Sequence, residues 1–314
     1  MFLTGAPTTM PDLSCYTTNL LAHVTPDIPD VRRRLARGVR LAVRIDLPPG
    51  ELAFSHHPRI DTTHDGRRLA YAGTRDWPTA REALHRALLR DRRVLAVANT
   101  RHLPWSPARD RSDAPHWILL KDRRDDQWLV ADHFSALTPN GTQSPYLGWI
   151  GDAELAAALA PWPGPPSEVA RRDVLALGEE TTTPPADHYR WLDWAPANDG
   201  GGAPGTGTWV LDLDASLRHT SEVLRADPTA VARYVDDLWA AARHHTFKLA
   251  FDVADGNTDP ARAAAASAAW DELPRALRFA AQSTARGRPR PGAVERSVDQ
   301  LRTALRALPA PDKE

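Results

Sequence analysis

The fold is decided by residues 116–132, which read HWILLKDRRDDQWLVAD. The mainly apolar runs 117–120 and 127–131 predict two strands, because short apolar runs bounded by turn residues are typical of buried strands. The charged residues between them predict the turn of an antiparallel hairpin. In such a hairpin the start of the first strand and the end of the second lie at the same edge of the sheet. His116 and Asp132 are therefore expected within hydrogen-bonding reach of each other.

The chain contains one cysteine, Cys15, which precedes a helix-compatible run at residues 16–23. Asp12 or Ser14 is a suitable N-cap, and either one places the sulfur in the first helical turn. Unpaired backbone N–H groups and the helix dipole stabilise a thiolate at that position. Because a single cysteine cannot form an internal disulfide, Cys15 is either chemically active or an inert packing residue.

A nucleophilic cysteine needs a base to remove its proton and a third group to orient that base. His116 is the candidate base and Asp132 the candidate orienting group. A helix-borne cysteine, followed by a strand-borne histidine and then an aspartate on the next strand, is the chain order of papain-like folds. The chain has 12 histidines, and five others are expected to be solvated or packed: His85, His102, His133, His244 and His245.

The length of 314 residues suggests two domains. Proline and glycine punctuate residues 161–166, so we expect a papain-like catalytic domain over 1–160 and a mainly helical accessory or lid domain over 167–314. Residues 209–214 predict one strand in the second domain, and amphipathic helices follow it. The predicted fold class is α+β.

Composition excludes several classes of partner. The 40 acidic residues nearly balance the 39 basic ones, so the overall charge favours neither nucleic acid nor an anionic membrane. The apolar runs are too short to span a bilayer, and the N-terminus lacks the features of a secretion signal, so we expect a cytoplasmic protein. His56, His57, Asp61 and His64 match no structural zinc spacing, and we expect no metal.

Residues from about Leu13 to Trp149 resemble the N-terminal domain of the butirosin biosynthesis protein H family, which has a papain-like fold. The resemblance is carried by residues 14–21 (SCYTTNLL), 101–105 (RHLPW), 116–120 (HWILL) and 130–132 (VAD). The hairpin from His116 to Asp132 also resembles that of bacteriocin-processing peptidases of the same fold.

The resemblance implies acyl transfer in antibiotic biosynthesis. The donor would be a phosphopantetheine-linked acyl thioester on an acyl or peptidyl carrier protein, and the acceptor an amine or hydroxyl of a small metabolite. No bound cofactor is implied. Carried over to this chain, Cys15 would accept the acyl group, His116 would act as the base and Asp132 would orient His116.

The oxyanion site departs from the pattern of many papain-like enzymes, which place a glutamine several residues before the cysteine. This chain has no glutamine there. The backbone N–H of Cys15 is one candidate donor to the oxyanion. The second donor is open, with Thr8, Thr9 and Asn19 as candidates.

Three further residues are candidate substrate contacts: Asn19, Trp105 and Trp117. The tryptophans have core packing as the alternative role. The same triad also suits a thioesterase, cyclase or peptidase, in which water or an intramolecular group opens the acyl-enzyme. The non-catalytic alternative is a papain-like scaffold that only binds a carrier protein or an assembly partner.

Overall fold

A computed structural model describes residues 12–161, 166–197 and 206–308. The helices are α1 (Cys15–Val24), α2 (Val31–Gly38), α3 (Trp77–Asp91), α4 (Asp152–Ala158), α5 (Pro166–Leu177), α6 (Leu213–Ala226), α7 (Ala230–Ala254), α8 (Pro260–Ala285) and α9 (Pro291–Arg306). The strands are β1 (Ala42–Arg44), β2 (Phe54–Ser55), β3 (Arg67–Thr74), β4 (Val94–Asn99), β5 (Pro115–Arg124), β6 (Gln127–Asp132), β7 (Ala136–Thr138), β8 (Gly141–Gln143), β9 (Tyr146–Gly151), β10 (Tyr189–Pro196) and β11 (Trp209–Val210). Every strand pair among the described residues is antiparallel, and the expected α+β class is confirmed.

The largest sheet of the described residues has six strands in the order β3-β10-β4-β5-β6-β9. Apolar side chains of α3 and α4 pack against β4, β5 and β6 to form one core, which includes the fully buried Ile118 and Trp128. Helix α1 packs against β5 and β4. The strands β5 and β6 are therefore held by apolar contacts along most of their length, which fixes the edge where His116 and Asp132 lie.

The predicted hairpin is formed by β5 and β6, and it contains a bulge at Lys121. Leu120 pairs with Val130, but the next pair is Asp122 with Leu129. A one-residue slip in register moves a side chain to the opposite face of a sheet. Extending the register beyond the bulge places Asp132 on the same face of the sheet as His116.

The chain folds as two compact units, each built from segments that are not consecutive. Among the described residues, the sheet unit contains 12–32, 59–161 and 166–197, and the helical unit contains 33–58 and 206–308. This division differs from the predicted domains, because β10 is an inner strand of the six-stranded sheet and places residues beyond 166 in the sheet unit. Residues 33–58 join the helical unit because β1 pairs with β11.

The helical unit combines α6 to α9 with the three-stranded sheet β11-β1-β2. The strand predicted over 209–214 is wrong beyond Val210, because the Asp212 carboxylate caps α6 by accepting a hydrogen bond from the backbone N–H of Ala215 at 2.8 Å. Across the described ranges, we find no helix with the length and hydropathy needed to cross a bilayer.

Candidate active site

Cys15 is the first residue of α1, as the sequence predicts. Ser14 is the N-cap: its backbone is extended, and its Oγ accepts a hydrogen bond from the Thr17 N–H at 3.3 Å. The thiol therefore lies in the first turn, at the positive end of the helix dipole. Only 8% of the Cys15 surface is exposed, so a reactant has narrow access to the sulfur.

His116 and Asp132 meet at the edge of the hairpin where the sequence places them. His116 is the second residue of β5 and Asp132 the last residue of β6. The Nε2 atom of His116 lies 2.8 Å from Oδ2 of Asp132, and both side chains are buried. The expected contact between the imidazole and the carboxylate is confirmed.

The imidazole of His116 lies close enough to the Cys15 thiol for its charge and hydrogen bonding to act on the pKa of the thiol. Because Nε2 faces Asp132, the ring nitrogen left for the sulfur is Nδ1. Burial alone raises the pKa of the thiol, but the charge and hydrogen bond of His116, together with the Arg172 guanidinium, bring that pKa below its ordinary value of 9.0. The structure thus brings the three predicted residues together as thiol, imidazole and carboxylate.

The electrostatics of His116 and Asp132 favour a charged pair. Burial alone lowers the pKa of His116, but the Asp132 carboxylate and the Cys15 sulfur raise it to about 10. Burial alone raises the pKa of Asp132, while His116 and neutral donors lower it to about 2. Cys15 and His116 are therefore a thiolate and an imidazolium at pH values between the lowered pKa of the thiol and the raised pKa of the imidazole.

The Asp132 carboxylate accepts five hydrogen bonds from described residues, one of which comes from His116. Oδ1 accepts from the Asn19 amide at 2.9 Å and from the Phe134 backbone N–H at 3.0 Å. Oδ2 accepts from two further side chains, Trp105 and Gln143. These donors stabilise the ionised carboxylate in a position removed from water.

Asn19 connects α1 to the hairpin, which argues against the predicted substrate contact. Its Nδ2 donates to the Asp132 carboxylate, to the Trp117 carbonyl at 2.8 Å and to the Cys15 carbonyl at 3.2 Å. Its Oδ1 accepts from the His133 backbone N–H at 2.9 Å. Because both amide hydrogens are engaged, Asn19 is not available as the second oxyanion donor.

The two predicted tryptophan contacts have different surroundings. Trp105 donates its indole N–H to Oδ2 of Asp132 at 2.8 Å, and its ring stacks on Tyr146 with centroids 4.0 Å apart. Trp117 has no exposed surface, and its ring stacks on Tyr16 with centroids 4.2 Å apart. Trp117 therefore has the packing role that the sequence left open, while Trp105 contacts the triad itself.

Of the predicted oxyanion donors, the backbone N–H of Cys15 is the one that the described residues leave available. Cys15 is at the first helical position, where a backbone N–H has no partner within the helix, so it remains the candidate for one donor. Thr8 and Thr9 lie outside the described residues. Arg172 of α5 adds positive charge near the sulfur. The sequence did not predict that Arg172 lies near Cys15, because a contact between two helices far apart in the chain leaves no local sequence pattern.

The histidines considered for a metal site lie in different surroundings. His56 packs against His244, with Nδ1 atoms 3.2 Å apart, in the helical unit. Asp61 belongs to the sheet unit and pairs with Arg59 at 2.5 Å. The structure shows no group of three or more His, Cys, Asp or Glu side chains suited to a metal ion in the part of the chain that it describes.

Comparison with known proteins gives no family assignment. No protein-family model matches the chain, and no curated protein shows significant similarity to it. The functional assignment therefore rests on the geometry of Cys15, His116 and Asp132.

Proposed function

We propose that this protein is a cysteine-dependent acyltransferase that takes an acyl group from a thioester and passes it to an amine or hydroxyl of a small metabolite. The observation that carries the proposal is the buried chain of contacts from the helix-borne Cys15 thiol to His116 and on to Asp132. A thiol with a lowered pKa, placed against an imidazole that a carboxylate orients, is the arrangement that acyl transfer requires.

The first half-reaction forms an acyl-enzyme. The Cys15 thiolate attacks the thioester carbonyl, and the new bond between Sγ and carbon leaves a negative charge on the carbonyl oxygen. The N–H of Cys15 is placed to stabilise that charge. As the carbon–sulfur bond of the donor breaks, the His116 imidazolium gives its proton to the departing thiolate.

The second half-reaction transfers the acyl group. The acceptor amine or hydroxyl attacks the acyl carbon, and the now neutral His116 takes the proton of the acceptor. The bond between the acyl carbon and Sγ breaks, which restores the thiolate and the imidazolium. Throughout both steps Asp132 stays ionised, because its pKa lies far below neutral pH.

The narrow access to the sulfur supports a donor thioester carried at the end of an extended, flexible chain. A thiol on a residue with 8% of its surface exposed is reached more easily by an extended chain such as phosphopantetheine than by a bulky folded substrate. The resemblance to the butirosin biosynthesis protein H family supports the same donor, presented by an acyl or peptidyl carrier protein in the cytoplasm. It also supports a papain-like fold and a place in antibiotic biosynthesis.

Intact-mass measurement tests the proposal. The protein is incubated with an acyl-loaded carrier protein, and the expected result is a mass increase equal to one acyl group. Cys15→Ala should show no increase, and neither should His116→Ala at neutral pH within the same reaction time. An adduct of equal extent on Cys15→Ala would contradict the mechanism.

The fate of the acyl group separates transfer from the related activities. Addition of small amines should release an acyl-amine product from the preformed adduct. Release of the free acid alone would identify a thioesterase, and a cyclic product would identify a cyclase. A wild-type protein that binds the carrier without any adduct would be a scaffold rather than an enzyme.

A further inference from the structure

The oxygen of Asp132 that faces His116 is also held by two neutral side chains. Oδ2 lies 2.8 Å from Nε2 of His116, 2.8 Å from the indole nitrogen of Trp105 and 3.2 Å from Nε2 of Gln143. A carboxylate oxygen has about two lone-pair sites, so three donors at one oxygen fix its position closely. The carboxylate therefore has defined partners whether or not His116 is in place.

Gln143 is brought to this oxygen by a short hairpin. It is the last residue of β8, where it pairs with Ala136 of β7. Its side chain is buried, with 4% of the residue surface exposed. A buried amide is costly unless it makes hydrogen bonds, and the hydrogen bond from Gln143 to Asp132 satisfies one of its donors.

We propose that Gln143 is a positioning residue of the triad, which holds Oδ2 of Asp132 so that the imidazole of His116 keeps Nδ1 directed at Cys15. This inference rests on the proposed function, because it assigns Gln143 to the same three reacting residues. Oδ1 is held separately by Asn19, so the donors at Oδ2 decide how far the carboxylate turns toward His116. Without Gln143, the carboxylate has more freedom, and the thiolate loses part of its stabilisation by the imidazolium.

Two substitutions of matched size separate the hydrogen bond from the space it fills. Gln143→Met fills a similar volume and cannot donate. Gln143→Glu keeps the shape but places a second carboxyl group against Asp132, so the two acids share a proton and compete with His116 for Oδ2. Thr142→Glu is the control, because Thr142 is the exposed neighbour on the same strand.

The measurement is the rate of alkylation of Cys15 by iodoacetamide as a function of pH, with thermal unfolding as the check on folding. It needs no acyl donor, so its result is independent of whether acyl transfer is observed. The alkylation rate rises with pH as the thiolate forms, and we call this rising part of the profile the acid limb. For Gln143→Met we expect the acid limb to move to higher pH by about half a unit. For Gln143→Glu we expect a move of about one unit, which makes the rate at a given pH on the acid limb roughly tenfold lower. Thr142→Glu should match the wild-type profile.

Two results would overturn the proposal. An acid limb that is unchanged, or moved to lower pH, in a folded Gln143→Met protein would show that the donor does not position the triad. Failure of both Gln143 variants to fold would assign the residue a structural role instead. If acyl transfer is absent while Gln143→Met shifts the limb as expected, the positioning role holds and the proposed function fails.

Discussion

Replacing Asp132 by asparagine removes the negative charge that faces His116. With the charges about 4 Å apart and an effective dielectric constant of about 20, their attraction is about 4 kcal/mol, equivalent to about three pH units in the pKa of His116. In the wild-type protein the pKa of His116 is raised to about 10. In Asp132→Asn only the Cys15 sulfur still opposes the burial of the imidazole, so this pKa should fall to its ordinary range, and the Cys15 thiolate loses much of its charged partner at neutral pH.

The substitution also disturbs the hydrogen bonds. An asparagine side chain has one acceptor oxygen where Asp132 has two, and each oxygen of Asp132 accepts at least two donors. Whichever way the new amide turns, at least two buried donors lose their acceptor, at a cost of about 1–3 kcal/mol each. Asp132→Asn should therefore lower both thiol reactivity and the free energy of unfolding.

Alkylation of Cys15 by iodoacetamide measures the first effect, and the single cysteine makes the site of labelling unambiguous. At neutral pH we expect Asp132→Asn to react at least about tenfold more slowly than the wild type, with its pH profile moved toward that of a free thiol. Urea titration measures the second effect. An alkylation profile that matches the wild type would refute the assignment of Asp132 to the triad.

Three further predictions concern stability. Asn19→Leu should lower the free energy of unfolding by about 2–4 kcal/mol, because buried groups of α1 and the hairpin lose their hydrogen bonds to the Asn19 amide. A loss below about 1 kcal/mol in urea titration would contradict this. In Gly148→Ala the added Cβ overlaps the Tyr146 ring, so the stacking of Tyr146 on Trp105 should be disturbed. Near-ultraviolet circular dichroism should show this change, and the free energy of unfolding should fall by about 1–3 kcal/mol. His23 and His245 are buried, and burial lowers the pKa of each from 6.5 to about 3. Between roughly pH 5.5 and pH 4 these sites are protonated in the unfolded chain but not in the folded one, so stability should fall by about 1.4 kcal/mol per pH unit for each residue as the pH drops through that range. Unfolding free energies that stay constant across that range would contradict it.

The triad was predictable because each member follows from a local pattern. Ser14 before an apolar run places Cys15 in the first turn of α1, and the charged turn of the hairpin brings His116 and Asp132 to one edge. The bulge at Lys121 was not predictable. If Lys121 were paired in regular register instead of bulging out, the register set by the turn would place Asp132 on the opposite face of the sheet from His116.

The position of β10 was missed for a different reason. Residues Tyr189–Pro196 form an inner strand that pairs on both sides, and Trp191 and Leu192 are both buried although they point to opposite faces. Such a strand lacks the alternation of apolar and polar residues that marks a half-buried strand. The predicted domain boundary at residues 161–166 was based on proline and glycine alone and did not take this strand into account.

The contacts of Gln143 and Trp105 with Asp132 were likewise beyond the reach of the sequence. The partner of a buried polar side chain is set by the packing of separate loops and strands, and no spacing along the chain encodes it. The sequence indicated that Trp105 lies near the thiol, but not that its indole N–H donates to the Asp132 carboxylate. For Gln143 no local signal singled out the residue.

Titration of the thiolate itself measures whether Cys15 and His116 form a charged pair. The ultraviolet absorbance of the thiolate is recorded against pH for the wild type, with Cys15→Ser as the blank. We expect the thiolate to appear at a pH below 9.0, the ordinary pKa of the thiol, and this shift to be lost in His116→Ala. A single titration near the ordinary value in the folded wild-type protein would contradict the pairing of Cys15 with His116.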